Sequence, residues 1–205
     1  MKPREFPILV VGSARGQIEH DLIIGALKTV LNSLPELRII YAPRHIEGAD
    51  ALAEQLQIEL GTVARRSKNE SGPIILLDTY GELAQTYGLS DIAIIGGGFD
   101  NLGGQNLLQP MEAGVPVIRG SHFQNFQWIV DEAGEAEGVF VANSATEIAS
   151  KTLELLSQEL KRAELGGNAK AFVKSHKGAS AVYAARVLKV AKLVQKSQSK
   201  SKKKS

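Results

Sequence analysis

The chain has 205 residues, 43% of them hydrophobic and 22% charged, an ordinary composition for a globular protein with one sizeable core or two small ones. It has no cysteine, which excludes a disulfide framework and any thiolate metal site. Its net charge of +2 is set by the tail: the last eleven residues, QKSQSKSKKKS, hold five of the 24 basic side chains and no acid, so the remainder carries 19 basic against 22 acidic groups.

The N-terminal segment MKPREFPILVVG is too short in apolar residues to span a bilayer and lacks a signal-peptide cleavage pattern. FPILVVGS then reads as a buried strand ending at Gly12-Ser13. From Gln17 to about Leu34, Ile18, Leu22, Ile23, Ala26, Leu27, Val30 and Leu31 recur at helical spacing, and Pro35 is a stop signal. LRIIYA (37–42) is a strand halted by Pro43, residues 48–60 are a helix, and GTVARRSKNESG (61–72) is a polar connection. PIILLD (73–78), DIAIIGG (91–97), VPVIRG (115–120) and GVFVAN (138–143) are further strands. Between them lie helical segments in YGELAQTYG, over 104–113 and in NFQWIVDEAG. Ser144 and Glu147 have capping-box spacing and should launch a helix through about Leu165, with Gly166-Gly167 as its stop. KAFVKSHKGAS and AVYAARVLKVAKLV complete the C-terminal helices.

About six apolar strands, each followed by a helix, predict a doubly wound, Rossmann-like α/β domain over residues 1–194, its parallel sheet covered on both faces. Residues 195–205 cannot bury apolar surface and should form a disordered Lys/Ser tail. Such a tail can touch an anionic surface, but it holds no aromatic side chain for base stacking, and no nucleic-acid partner is expected.

Ligands of such sheets bind beyond the carboxyl ends of the strands, so the chemistry is sought there. The first strand ends at Gly12-Ser13, with Arg15 and Gly16 in the following turn. The second ends at APRH, where Pro43 fixes the backbone and Arg44 presents a fork of donors suited to phosphate or carboxylate. Asp78 should cap the helix that follows it. The fourth strand runs into GGGFDNLGGQNLLQP (96–110). There Gly97, Gly98 and Gly104 leave bare backbone, and a helix starting near Gln105-Asn106 could turn its N–H groups toward an anion. A glycine-rich loop that merely turns a corner is the other reading. Gln109 and Glu112, three residues apart, share a helix face and could meet a sugar hydroxyl. Arg119 and His122 end the fifth strand, while Phe123, Phe126 and Trp128 read as packing. No GxSxG elbow, P-loop or HExxH spacing is present, so no nucleophile, metal or cofactor is implied.

DTYGELAQTYGLSDIAIIGG (78–97) followed by GGQNLLQPMEAGVPVIRGSHFQNF (103–126) resembles the donor-binding half of 3-deoxy-D-manno-octulosonic acid (Kdo) transferases, GT-B glycosyltransferases of lipopolysaccharide biosynthesis. VVGSARGQIE and APRH are similar to that half's opening turn and arginine loop, and the resemblance covers about residues 7–190. It implies binding of the nucleotide-sugar CMP-Kdo, for transfer to a lipid A precursor at the cytoplasmic face of the inner membrane, with possible peripheral membrane contact. It matches Ser13, Arg44, Gly97, Gly104 and Asn106 to donor-side positions; Gly98, Gln105, Gln109, Glu112 and Asn125 complete the expected site. Three positions depart from the pattern: Gln105 stands for a usual histidine, Gln109 for a usual glutamate and Arg15 for a usual histidine. The family's acceptor and catalytic half would lie in an N-terminal domain, in the same or a separate chain. The chain alone is then expected to be inactive. A non-catalytic binding module and a relative using a UDP-sugar are the alternatives.

Overall fold

The computed structural model describes residues 6–176. By its contacts the chain separates at Phe172/Val173 into two units, and the described part of the second is the last turn of a helix. The expected bounds of 1–194 and 195–205 therefore run beyond the described residues.

The core grows from β1 (Ile8–Ala14), in which Leu9, Val10 and Val11 are wholly buried. A strand apolar on both faces suits the middle of a parallel sheet. In chain order there follow α1 (Gln17–Ser33), β2 (Arg38–Pro43), α2 (Ala49–Leu60), β3 (Val63–Arg65) and β4 (Ile74–Leu76). Next come α3 (Leu83–Tyr87), β5 (Ile92–Ile95), α4 (Leu108–Ala113), β6 (Val117–Arg119) and α5 (Gln127–Glu132). The last elements are β7 (Val139–Val141), α6 (Ala145–Ser157) and α7 (Glu159–His176). The seven strands are all parallel, in the order β3-β4-β2-β1-β5-β6-β7. From β1 the chain adds β2, places β3 at the far edge and returns to β4 between them, then crosses to β5 on the other side of β1, so the topological switch lies between β1 and β5.

Helices α1, α2 and α6 cover one face, where Leu9, Val11, Ile39, Tyr41, Ile92, Ile94 and Phe140 form the larger core. On α1 the stripe Ile23, Ala26, Leu27 and Val30 is fully buried, and each large member contributes roughly 2 kcal/mol of transfer free energy. Ile18, expected on that stripe, is 67% exposed, and Glu19 takes the buried place one turn before Ile23.

The seventh strand, β3, lies where the sequence predicts a polar connection. It has three residues, and only Ala64 is buried; its pairing with β4 along the sheet edge makes it a strand. The predicted single helix over 144–165 is two. Ser144 caps α6 as expected, its hydroxyl accepting the Glu147 N–H at 3.2 Å, but α6 ends at Ser157 and α7 begins at Glu159. Gly166-Gly167 is no stop. Helix α7 runs through it, and a side chain at Gly166 would strike the Gly114 carbonyl, so that glycine serves close packing. Among the described residues no helix is long and apolar enough to cross a membrane.

Candidate functional site

At the carboxyl end of β1 the chain leaves the regular sheet. Its register with β2 shifts between Gly12 and Ala14, and Ser13 sits at φ 57, in the left-handed region. A non-glycine residue held there stores about 1 kcal/mol or more and persists only where its surroundings fix it. Two hydrogen bonds do so: the Gly96 N–H donates to Gly12 O at 2.9 Å, and the Arg44 N–H to Ala14 O at 2.8 Å. The Ser13 hydroxyl has no hydrogen bond among the described residues. The bulge thus sits between the ends of β2 and β5 and brings Ser13 beside the Arg44 backbone. The Arg15 and Arg44 side chains are both exposed, and neither has an ion pair among the described residues.

The glycine-rich stretch packs over this bulge. Gly97, at φ 79, turns its N–H inward to the carboxylate of Glu19, at 2.7 Å from Oε1 and 2.8 Å from Oε2. The same carboxylate accepts the Arg15 N–H at 2.6 Å and the Phe99 N–H at 3.2 Å. Glu19 is fully buried. Burial pushes its carboxyl above the usual range, against the opposing pull of the amides of Gly97, Arg15 and Phe99, and Asp100 adds to the rise. The sequence reading misses Glu19. Its signal is positional: a carboxylate four residues before Ile23, on the buried stripe of α1, is out of place unless something answers it.

The remaining glycines admit protein groups. Gly104, at φ 81, donates its N–H to Gly97 O at 2.7 Å, and a Cβ there would meet the Phe123 ring at 2.5 Å. The same ring lies against Gly98, whose carbonyl accepts the His122 N–H at 3.0 Å. Asn125 covers Gly103, and its N–H donates to Gly103 O at 3.0 Å. The bare backbone of 96–104 is therefore largely sheathed by Glu19, Phe123 and Asn125. Phe123 packs as expected, whereas Trp128 is 47% exposed.

Helix α4 starts at Leu108, not near residue 104, because Gly103 and Gly104 both hold positive φ and the chain stays irregular through Leu107. Asn106 Oδ1 accepts the Leu108 N–H at 2.9 Å, so its carbonyl end is committed and its amide end is left exposed. Gln105 is half-buried against Gly97. The backbone N–H groups of Gln105 and Asn106 make no bond among the described residues. Gln109 and Glu112 are both exposed on α4. Ser13, Arg44, Gly97, Gly98, Gly104, Gln105 and Asn106 thus come from segments meeting at the switch point, while Gln109, Glu112 and Asn125 lie at its border.

Two neighbours differ from expectation. Asp78 does not cap α3, which begins at Leu83 after Glu82. It accepts the Ser67 N–H at 2.7 Å, the Ser67 hydroxyl at 2.6 Å and Arg65 Nε at 2.8 Å. Arg119 does not stand open in the cleft. It is 7% exposed, its Nη1 donates to Gly120 O at 2.9 Å, its Nε is buried without a partner, and its guanidinium lies 5.0 Å over the Phe123 ring. Among the described residues no three His, Asp or Glu side chains gather to hold a metal.

No family model matches the chain. It is 36% identical over 181 residues to a 3-deoxy-D-manno-octulosonic acid transferase of Bordetella pertussis, covering 85% of this chain and 42% of that protein. With the Aquifex aeolicus transferase it shares 36% over 151 residues, 73% of this chain and 42% of that one. The chain thus spans about two fifths of the length of these two transferases. Among solved structures, the C-terminal CMP-Kdo binding domain of WaaA from Acinetobacter baumannii superposes with a TM-score of 0.74 and 32% identity, covering 80% of this chain and 86% of that domain. Anabaena HepE in complex with UDP-glucose, at 16% identity and a TM-score of 0.61, shares the fold. The agreement over nearly the whole of the Acinetobacter domain, with the strand-end geometry above, assigns the chain to the Kdo transferase family, in which it corresponds to the C-terminal domain.

Proposed function

We propose that the cleft at the carboxyl ends of β1, β2 and β5 binds CMP-Kdo, and that the chain supplies the donor half of a Kdo transferase. The observation that carries this reading is Arg44. Its backbone is pinned to the Ser13 bulge by the bond to Ala14 O, and its guanidinium is exposed and without an ion pair among the described residues. A planar guanidinium at a topological switch point suits a phosphate, bidentately. The Ser13 hydroxyl, the unpaired N–H groups of Gln105 and Asn106 and the Asn106 side-chain amide supply neutral donors beside it. Likeness to the Acinetobacter domain supports cytidine monophosphate as the nucleotide.

Gln109 and Glu112, both exposed on α4, would meet a ribose hydroxyl in this reading, and a glutamine amide serves a hydroxyl as both donor and acceptor. Transfer itself needs a general base and an acceptor site. These belong to a second domain, with a lipid A precursor as acceptor and peripheral contact at the cytoplasmic face of the inner membrane. Calorimetry with CMP and CMP-Kdo tests the reading. One saturable site, weakened in Arg44→Ala, is expected; no heat with either ligand sinks it.

A further inference from the structure

We infer that Glu19 determines the specificity of this site: its carboxylate fills the amide-lined floor of the loop after β5 and limits the ligand to a single phosphate. The inference rests on the reading of the cleft as a nucleotide site.

A run of inward-turned N–H groups following a strand is the usual cradle for a phosphate chain. Here those of Arg15, Gly97 and Phe99 converge on one carboxylate that belongs to the protein itself. The loop rides directly on it: a Cβ at Gly96 would lie 2.6 Å from Glu19 Oε2 and 2.6 Å from Ser13 O. Glu19 thus ties the first turn of α1 to a loop nearly eighty residues away, as an internal anion in the place of an external one. A first phosphate has Arg44, Ser13 and the N–H groups of Gln105 and Asn106 to meet. A second would approach the floor, where these donors are spent and a buried negative charge repels it, with Asp100 adding to that field. At the ends of β1 and β2, Arg15 and Arg44 are exposed and have no ion pair among the described residues, and one phosphate with one sugar carboxylate matches these two charges.

The test compares CMP with CDP by calorimetry, on wild type and Glu19→Gln. Glutamine keeps the size and one acceptor oxygen but removes the charge. Wild type should bind CMP about tenfold or more tightly than CDP, and the substitution should bring the ratio toward one, chiefly through tighter CDP, in line with the strength of a desolvated charge pair. A ratio left unchanged in a folded variant overturns the inference alone. Wild type that binds neither nucleotide overturns it together with the proposed function. Should Glu19→Gln not fold, amide NMR of wild type decides: on CDP addition the Gly97 and Phe99 N–H signals should hold while those of Gln105 and Asn106 shift. Shifts led by Gly97 and Phe99 contradict the inference.

Discussion

Two buried carboxylates stand at the carboxyl end of this sheet, and they are answered in opposite ways. Asp78, beyond β4, is met by a cation: Arg65 Nε at 2.8 Å, with Ser67 adding its hydroxyl and N–H. Burial raises the Asp78 carboxyl, but the bonds from Ser67 and Arg65 outweigh it and hold the group below its usual range. Arg65 also pairs with Asp50, and Arg66 with Glu82 at 2.9 Å. Glu19, at the switch point, is met among the described residues by backbone N–H groups only, and burial leaves it above its usual range. At the β3–β4 edge Arg65 and Arg66 are spent on the protein's own acids. At the switch point the acid is satisfied without them, so Arg15 and Arg44 stay uncommitted. Committed charge marks the first region as architecture, and uncommitted charge marks the second as a place for an anion.

The sharpest way to break this contrast is to remove one arginine from each side. Arg65→Ala leaves Asp78 buried with its cation gone and should lower stability by about 3 kcal/mol, read by urea unfolding, while CMP affinity stays as in wild type. Arg44→Ala should do the reverse: CMP affinity falls by about ten- to thirtyfold, the loss of one charged hydrogen-bonding group, while the unfolding midpoint is unchanged.

Titration separates the two carboxylates by sign. The Asp78 carboxyl is lowered, so its contribution is present above pH 3.8 and is lost as pH falls further. That of Glu19 is raised, so its contribution is full below about pH 4.5 and is lost as pH rises through the folded value. Comparing wild type with Glu19→Gln by urea unfolding at pH 4.5, 6 and 7.5, the wild-type advantage should shrink as pH climbs. An advantage that grows with pH contradicts the burial-dominated account of Glu19. The smallest expected effect is at the bulge. Ser13→Gly relieves a positive φ and should stabilise the fold by about 0.5–1 kcal/mol in a thermal scan, while weakening CMP by loss of one hydroxyl.

Six of the seven strands are legible as apolar runs, because strands buried on both faces need no alternation to declare themselves. β3 is hidden: with one buried residue, it is a strand only because β4 lies beside it. The break at Gln158 carries no glycine or proline to announce it, and Gly166, which local propensity reads as a stop, instead packs against the Gly114 carbonyl inside α7. The site is legible in part for the same reason. Strand ends and glycines locate the loop, and Pro43 flags Arg44. What lies against the glycines is not local: Glu19 reaches Gly97 across 78 positions, and Phe123 comes from beyond β6. The glycines read from sequence as room for a ligand, and much of that room is filled by the protein's own side chains.

The most direct test is a crystal structure of the domain with CMP. The phosphate should lie on Arg44 and the Ser13 bulge, with the Glu19 carboxylate still bonded to the N–H groups of Gly97 and Phe99. A phosphate seated on those two N–H groups with Glu19 displaced, or a nucleotide bound away from the β1–β5 switch, would contradict the account.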